Sequence, residues 1–217
     1  MQKCFYIAFL VFCFSARSEP VWQLYENKQG VSVYFQSYTD NTVEMKGEVV
    51  VNNVSAVDFL ALLSDTDAAP RWIENVSKVN LIKYLSPSEN LVYSYIDSPW
   101  PVANRDVITY SCYSQLTPQQ NELVINARPN TLPVNKGVVR IATLNARWLL
   151  TQQNSNLQII YQVYALPGGI VPTWLNNKVG LKSTYNTLIN LRNILTSKKY
   201  ELKKPIIKVG SCDNDVY

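Results

Sequence analysis

Histidine does not occur anywhere in the 217 residues. Its absence excludes Ser-His-Asp and Cys-His catalytic sets, removes histidine from any zinc site, and takes away the commonest general base near neutral pH. Charge is sparse too, at 17% of residues against 47% hydrophobic, which argues for a packed globular core and against disorder. Cysteine is limited to four, two of which, Cys4 and Cys13, lie in the N-terminal leader. The other two, Cys112 and Cys212, are too few for a disulfide scaffold. Cys112 sits in the apolar run Val107 to Tyr113 and reads as a buried small hydrophobe, with pairing to Cys212 in the tail as the alternative.

Long apolar runs are missing as well. The one at the start, Phe5 to Phe14, follows the positive Lys3 and precedes Ala16-Arg17-Ser18, the pattern of a secretory signal cleaved before Glu19. It is too short to span a bilayer, and Phe12 before Cys13 rules out a lipoprotein site. The mature chain is therefore expected to be soluble and exported, and periplasmic in a host with two membranes. Loss of Lys3 and Arg17 with the leader leaves 18 basic residues against 16 acidic. Such a balance offers no basic stripe for nucleic acid. The only basic cluster is Lys198, Lys199, Lys203, Lys204 and Lys208, leading into a tail (residues 201–217) that reads as solvated and loosely ordered, or as a contact for an anionic bilayer.

No repeat or linker divides residues 19–200, so one domain is expected. Glu19 to Asn27 reads as a short helix or turn. Val31 to Phe35 and Val43 to Val51 alternate at period two around Asp40-Asn41 and predict a hairpin. Ser55 is a plausible N-cap for a helix over Ala56 to Leu63, and Asp65 and Asp67 are more simply caps for a second short helix ending near Ile73 than a carboxylate pair. Strands then follow at Val76 to Tyr84, Leu91 to Asp97, Val107 to Gln115, Leu123 to Ala127, Val138 to Leu150 and Leu157 to Leu166.

Past Pro167-Gly168-Gly169 and Pro172 the spacing turns helical at Leu175, Val179, Tyr185, Leu188, Leu191 and Leu195. Pro172 suits the first helical turn, and Gly180 marks a kink or a place where something needs room. The long helix needs a partner for its apolar face. The preceding strands are the only candidate, which gives an α+β fold: a curved antiparallel sheet of eight or nine strands around a C-terminal helix, with two short helices after the first strands.

Three segments sharpen this picture. Asp65 with Pro70-Arg71-Trp72-Ile73-Glu74-Asn75-Val76, then Pro101-Val102-Ala103-Asn104-Arg105-Asp106-Val107, then Leu132 to Arg140 with Trp148, Pro167 to Asn176 and Thr187 to Arg192, together resemble START lipid-transfer domains of the helix-grip fold. The resemblance covers Val21 to Ser197. It implies a tunnel holding one lipid, sterol or similar apolar molecule, gated by the C-terminal helix and a neighbouring loop, with no catalysis and no cofactor. It further implies transient contact with a membrane surface and a monomer. An enzyme on the same scaffold would need Asp, Glu or Tyr as acid or base. A ligand-dependent sensor is the third reading.

The resemblance turns Arg105 toward the tunnel, where its guanidinium would meet a ligand's polar head; the alternative is a structural ion pair. Tyr93 and Tyr95 share one strand face and offer ring and hydroxyl to a ligand, or are ordinary half-buried strand residues. Leu132 and Val134, in the loop that the resemblance lays over the tunnel mouth, touch ligand or bilayer, or pack beneath the loop. Trp148 joins the candidates through the resemblance. On the helix Trp174, Val179, Tyr185 and Leu188 are tunnel lining or core.

Overall fold

Strict alternation builds the sheet. In β3 (Val43–Asn52) Val43, Met45, Gly47, Val49 and Val51 are buried and every residue between them faces outward. The computed structural model describes residues 21–201, 203–205, 208–210 and 212, so the leader lies outside the described residues. Ten strands form one sheet: β1 (Gln23–Lys28), β2 (Val31–Ser37), β3, β4 (Val76–Ser86), β5 (Glu89–Ile96), β6 (Arg105–Thr117), β7 (Gln120–Ala127), β8 (Val139–Arg140), β9 (Thr143–Gln153) and β10 (Asn156–Leu166). Their order is β1-β2-β3-β10-β9-β7-β6-β5-β4, antiparallel throughout, and the short β8 adds in parallel to the start of β6.

Two segments differ in kind from the sequence reading. The stretch before Gly30, expected as a helix or turn, is the edge strand β1, recruited by pairing Gln23 with Phe35 and Lys28 with Val31. The run Val138 to Leu150 is two strands, because Val139 and Arg140 leave the line to pair with Arg105 and Asp106. That detour has an electrostatic cause. Asp106 is fully buried and Arg140 meets it with both Nε at 2.6 Å and an Nη at 3.0 Å.

Between β3 and β4 the chain forms α1 (Ala56–Ser64) and a 3-10 helix, Thr66–Arg71. Ser55 and Asp58 close a reciprocal capping box, and the Asp65 carboxylate accepts from the Ala68 N–H at 3.1 Å to start the second helix. α2 (Thr173–Thr196) is one continuous helix with Pro172 as the N-cap residue, one position earlier than expected. It lies on β2 and β3. A Cβ on Gly47 would come within 2.4 Å of Leu188 Cδ1, and one on Gly180 within 2.7 Å of Met45 Sδ. These two glycines let helix and sheet approach; at Gly180 the room is taken by Met45.

The core between them contains Val31, Val49, Phe59, Trp148, Leu188 and Leu191. A smaller apolar cluster of Leu91, Tyr110 and Cys112 occupies the opposite face of β5 and β6. The chain after α2 covers it. Tyr200 is buried and donates its hydroxyl to Asp65 at 2.7 Å, and in the stretch beyond it Gly210 bridges Ser114 and Cys212 forms a disulfide with Cys112. The expectation of Cys112 as a free buried thiol is thereby corrected.

Candidate functional site

Register decides what the inner face of β5 and β6 presents. Asn90 pairs with Ser111, Val92 with Thr109, Ser94 with Val107 and Ile96 with Arg105. These side chains share one face, and two cavities open over it. A cavity of about 320 Å³ lies over the Asn90 end, roofed by α1 and the 3-10 helix through Leu62, Asp65, Ala69 and Trp72. A second, of about 560 Å³, lies over the Ile96 end beneath the first half of α2, with Val102, Ile141, Val171, Leu175 and Val179 among its walls. Ser94 of the first and Ile96 of the second are successive inward residues, so the two cavities adjoin within roughly 7 Å along the strand.

The larger cavity is framed by two loops and a helix. Arg105 holds the loops together: its guanidinium donates to the carbonyls of Ala103, Pro167 and Gly168 and to the Ser98 hydroxyl. Burial lowers its pKa from the ordinary arginine value. A guanidinium keeps its proton nonetheless, and carbonyl dipoles stand here where a carboxylate might. The ion pair of this dipeptide belongs instead to Asp106, whose hydrogen bond to Arg140 raises the arginine's pKa. On the other side α2 is fastened to the turn before β4. The Glu74 N–H donates to Thr187 Oγ1 at 3.0 Å, Asn75 Nδ2 to Ser183 Oγ at 2.9 Å, and Asn186 Nδ2 to the Glu74 carboxylate at 2.9 Å.

Of the residues singled out in the sequence, Arg105 and Val179 line the larger cavity. Trp148 and Leu188 are buried in the core, Trp148 stacked on Tyr161 at 4.0 Å, and Tyr185 packs against that core. Trp174 is exposed on the first turn of α2. For Tyr93 and Tyr95 the register reverses the choice of face. Val92, Ser94 and Ile96 line the cavities, so the tyrosines point to the opposite side, where they accept from Asn135 and Asn104. Burial and then the nearby Asp106 charge raise the Tyr93 pKa. Leu132 and Val134 line neither cavity; Arg140 ties their loop down through the carbonyls of Pro129, Leu132 and Pro133.

Sequence reasoning passed over Asn90, Ser94, Thr109, Ser111, Ile96 and Ile141. Alternation alone left the two faces of β5 open.

A ten-stranded sheet closed by a terminal helix over adjoining, mostly apolar cavities defines a helix-grip fold. The START domain family model matches residues 15–199, and the chain belongs to this family. It is 29% identical over 173 residues to an uncharacterized protein of Pseudomonas aeruginosa, covering 79% of this chain and 85% of that one. Among solved structures, a STAR-related lipid transfer protein from Xanthomonas axonopodis (fragment 25–204) superposes with a TM-score of 0.75 at 31% identity, covering 81% of this chain and 98% of that one. Human STARD10 gives 0.73 at 22% identity, covering 85% and 79%, a likeness of fold.

Proposed function

We propose that this protein holds one lipid or similar apolar molecule between the sheet and α2 and transfers it at a membrane surface, without catalysis. The observation that carries the reading is the pair of adjoining, mostly apolar cavities on the inner sheet face of a START family chain. Such lining gains roughly 25 cal/mol per Å² of apolar ligand surface it covers, about what a bilayer offers, so exchange between the two is nearly balanced. The solved relative named for lipid transfer supports the same reading. Of the carboxylates at the walls, Asp65 is engaged by Ala68 and Tyr200, and Glu74 by Asn186.

The larger cavity is the gate. Trp100, Ile170 and Trp174 stand on the three segments that frame it and are 92%, 104% and 68% exposed. Aromatic and branched side chains in that position suit the bilayer interface. Leu132 and Val134 belong to a loop anchored elsewhere. The disulfide and the leader sequence fit an exported protein working in an oxidising compartment.

The test is native mass spectrometry of the mature protein from its own compartment, with extraction of whatever co-purifies, and transfer of labelled lipid between vesicles. One bound apolar molecule per chain is expected. Trp100→Ala with Trp174→Ala should slow transfer at least fivefold and leave thermal stability unchanged. An empty protein that moves no lipid would overturn the reading.

A further inference from the structure

The chain beyond α2 grips the smaller cavity from two sides. At the roof, the Tyr200 hydroxyl donates at 2.7 Å to the Asp65 carboxylate, which also starts the 3-10 helix by accepting from the Ala68 N–H. Asp65, Thr66, Ala69 and Trp72 line the cavity from that roof. At the floor, the Lys208 N–H donates to the Pro87 carbonyl at 2.9 Å, and the Gly210 N–H to that of Tyr113 at 3.2 Å. Gly210 also stands so close to Ser88 that any Cβ there would collide with the serine hydroxyl. Ser88 and Tyr113 line the same cavity. Beyond Gly210, Cys212 is joined to Cys112 of β6. One stretch of chain thus ties roof to floor at the Asn90 end, and its floor attachment is covalent. The roof's polar ties to α2, from Glu74 and Asn75, lie beside the larger cavity instead.

We infer that the Cys112–Cys212 disulfide is a redox lock on the smaller cavity. Oxidised, it holds roof to floor and retains the bound molecule; reduced, it frees the roof and lets the molecule leave. This rests on the carrier reading above and adds a control to it. The chemistry is thiol–disulfide exchange with a dithiol. Cys112 is fully buried and Cys212 half-buried, so the dithiol's first thiolate attacks the Cys212 sulfur. The Cys112 sulfur leaves with the electron pair of the broken bond and takes up a proton. The second thiol, as thiolate, then displaces Cys212 from the mixed disulfide, and that sulfur is protonated in turn. The protein ends with two thiols and the dithiol as a disulfide, two electrons and two protons having passed between them. Cys112 stays packed with Leu91 and Tyr110 as a small buried hydrophobe. What remains of the tie is a few hydrogen bonds, each weak by itself.

Two readouts test this on the full mature chain, oxidised or treated with dithiothreitol, at a temperature where both forms show the same far-UV circular dichroism. The first, amide hydrogen exchange, needs no ligand. Reduction should speed exchange across residues 66–73 roughly tenfold and leave the loops 97–104 and 167–172 within about twofold. The second is release of NBD-labelled phosphatidylglycerol loaded from vesicles, which reduction should speed roughly fivefold. Tyr200→Phe breaks the roof end alone, so its oxidised form should release faster than the parent and respond to reductant less than about twofold. Gly47→Ala loosens the core away from the tie and should release as the oxidised parent does. Unchanged exchange at the roof, release indifferent to reductant, or a Gly47→Ala protein that releases as fast as the reduced parent would overturn the lock and leave the carrier reading standing. A parent that takes up no labelled lipid and carries none from its own compartment would overturn both.

Discussion

Tyr200 and Asp65 show how much one contact can set. The phenol is buried, flanked by Lys199 and Lys203 at 5.5 and 5.0 Å from its ring, and its hydroxyl reaches the carboxylate that caps the 3-10 helix over the smaller cavity. The bond holds the Asp65 pKa below its ordinary value; burial and then this bond raise that of Tyr200 to about 12. The signs give two windows. Asp65 contributes stability that is complete above the ordinary carboxylate range and is lost as pH falls through its lowered value. Tyr200 contributes stability that is complete below the ordinary tyrosine pKa of about 10 and is lost as pH rises from there through about 12. Tyr200→Phe should cost about 2 kcal/mol at pH 7, a hydrogen bond to a charged group. In urea melts the gap between variant and parent should narrow between pH 10 and 12, where Tyr38, Tyr113 and Tyr161, also raised, act alike in both proteins. A gap constant across that range would remove Tyr200 ionisation from the account.

At the scale of elements, the seam between α2 and β3 is governed by two glycines with different neighbours. The Cβ of Gly47→Ala meets Leu188, which is fully buried and has nowhere to go, along with Thr184 Cγ2 at 3.0 Å. Overpacking of this kind costs about 1–3 kcal/mol. Gly180→Ala meets the flexible end of Met45 and gains roughly 1 kcal/mol of helix propensity. Chemical denaturation should therefore show Gly47→Ala clearly destabilised and Gly180→Ala within about 1 kcal/mol of the parent. If Gly47→Ala were as stable as the parent, the seam would be looser than the packing describes. The same seam sets the site, because α2 buries Leu181, Leu188, Leu191 and Leu195 in the core while its first half, through Ser183, spans the larger cavity.

For the molecule as a whole, the disulfide Cys112–Cys212 joins points 100 residues apart and fixes the chain after α2 to the outer face of the sheet. Closing so long a loop in the unfolded chain is worth about 4–5 kcal/mol by chain entropy, and measured values are commonly lower, about 2–4. Cys212→Ser should lower the unfolding free energy by about 2–4 kcal/mol, and adding reductant to the parent should reproduce the loss. A parent indifferent to reductant would show that the tail is held without the bond. Since Tyr200 and Gly210 lie on the same segment, loosening it also exposes the Asp65 end of the smaller cavity.

Much of this architecture is written in local pattern. Alternation in β3, the Ser55 cap, the Asp65 cap and the period beyond Pro172 are short-range signals, and physical chemistry within a few residues is enough to read them. The START resemblance marked Arg105 and the helical spacing marked Val179, and both line the larger cavity. What those patterns leave open is which face of a strand turns inward. β5 alternates polar and apolar poorly, and only its pairing with β6, and the placing of α1 and α2 over one side, turned Ser94 and Ile96 inward and Tyr93 and Tyr95 out. Partners far apart in sequence were equally beyond local reading, as with Asp106 and Arg140 or Asp65 and Tyr200, and the pairing of Cys112 with Cys212 was only one of two readings. The sequence by itself determined most of the elements and the kind of protein, because those follow from periodicity and motif. The tertiary structure decided how the cavities are lined, because a cavity belongs to no single segment and exists only where distant ones meet.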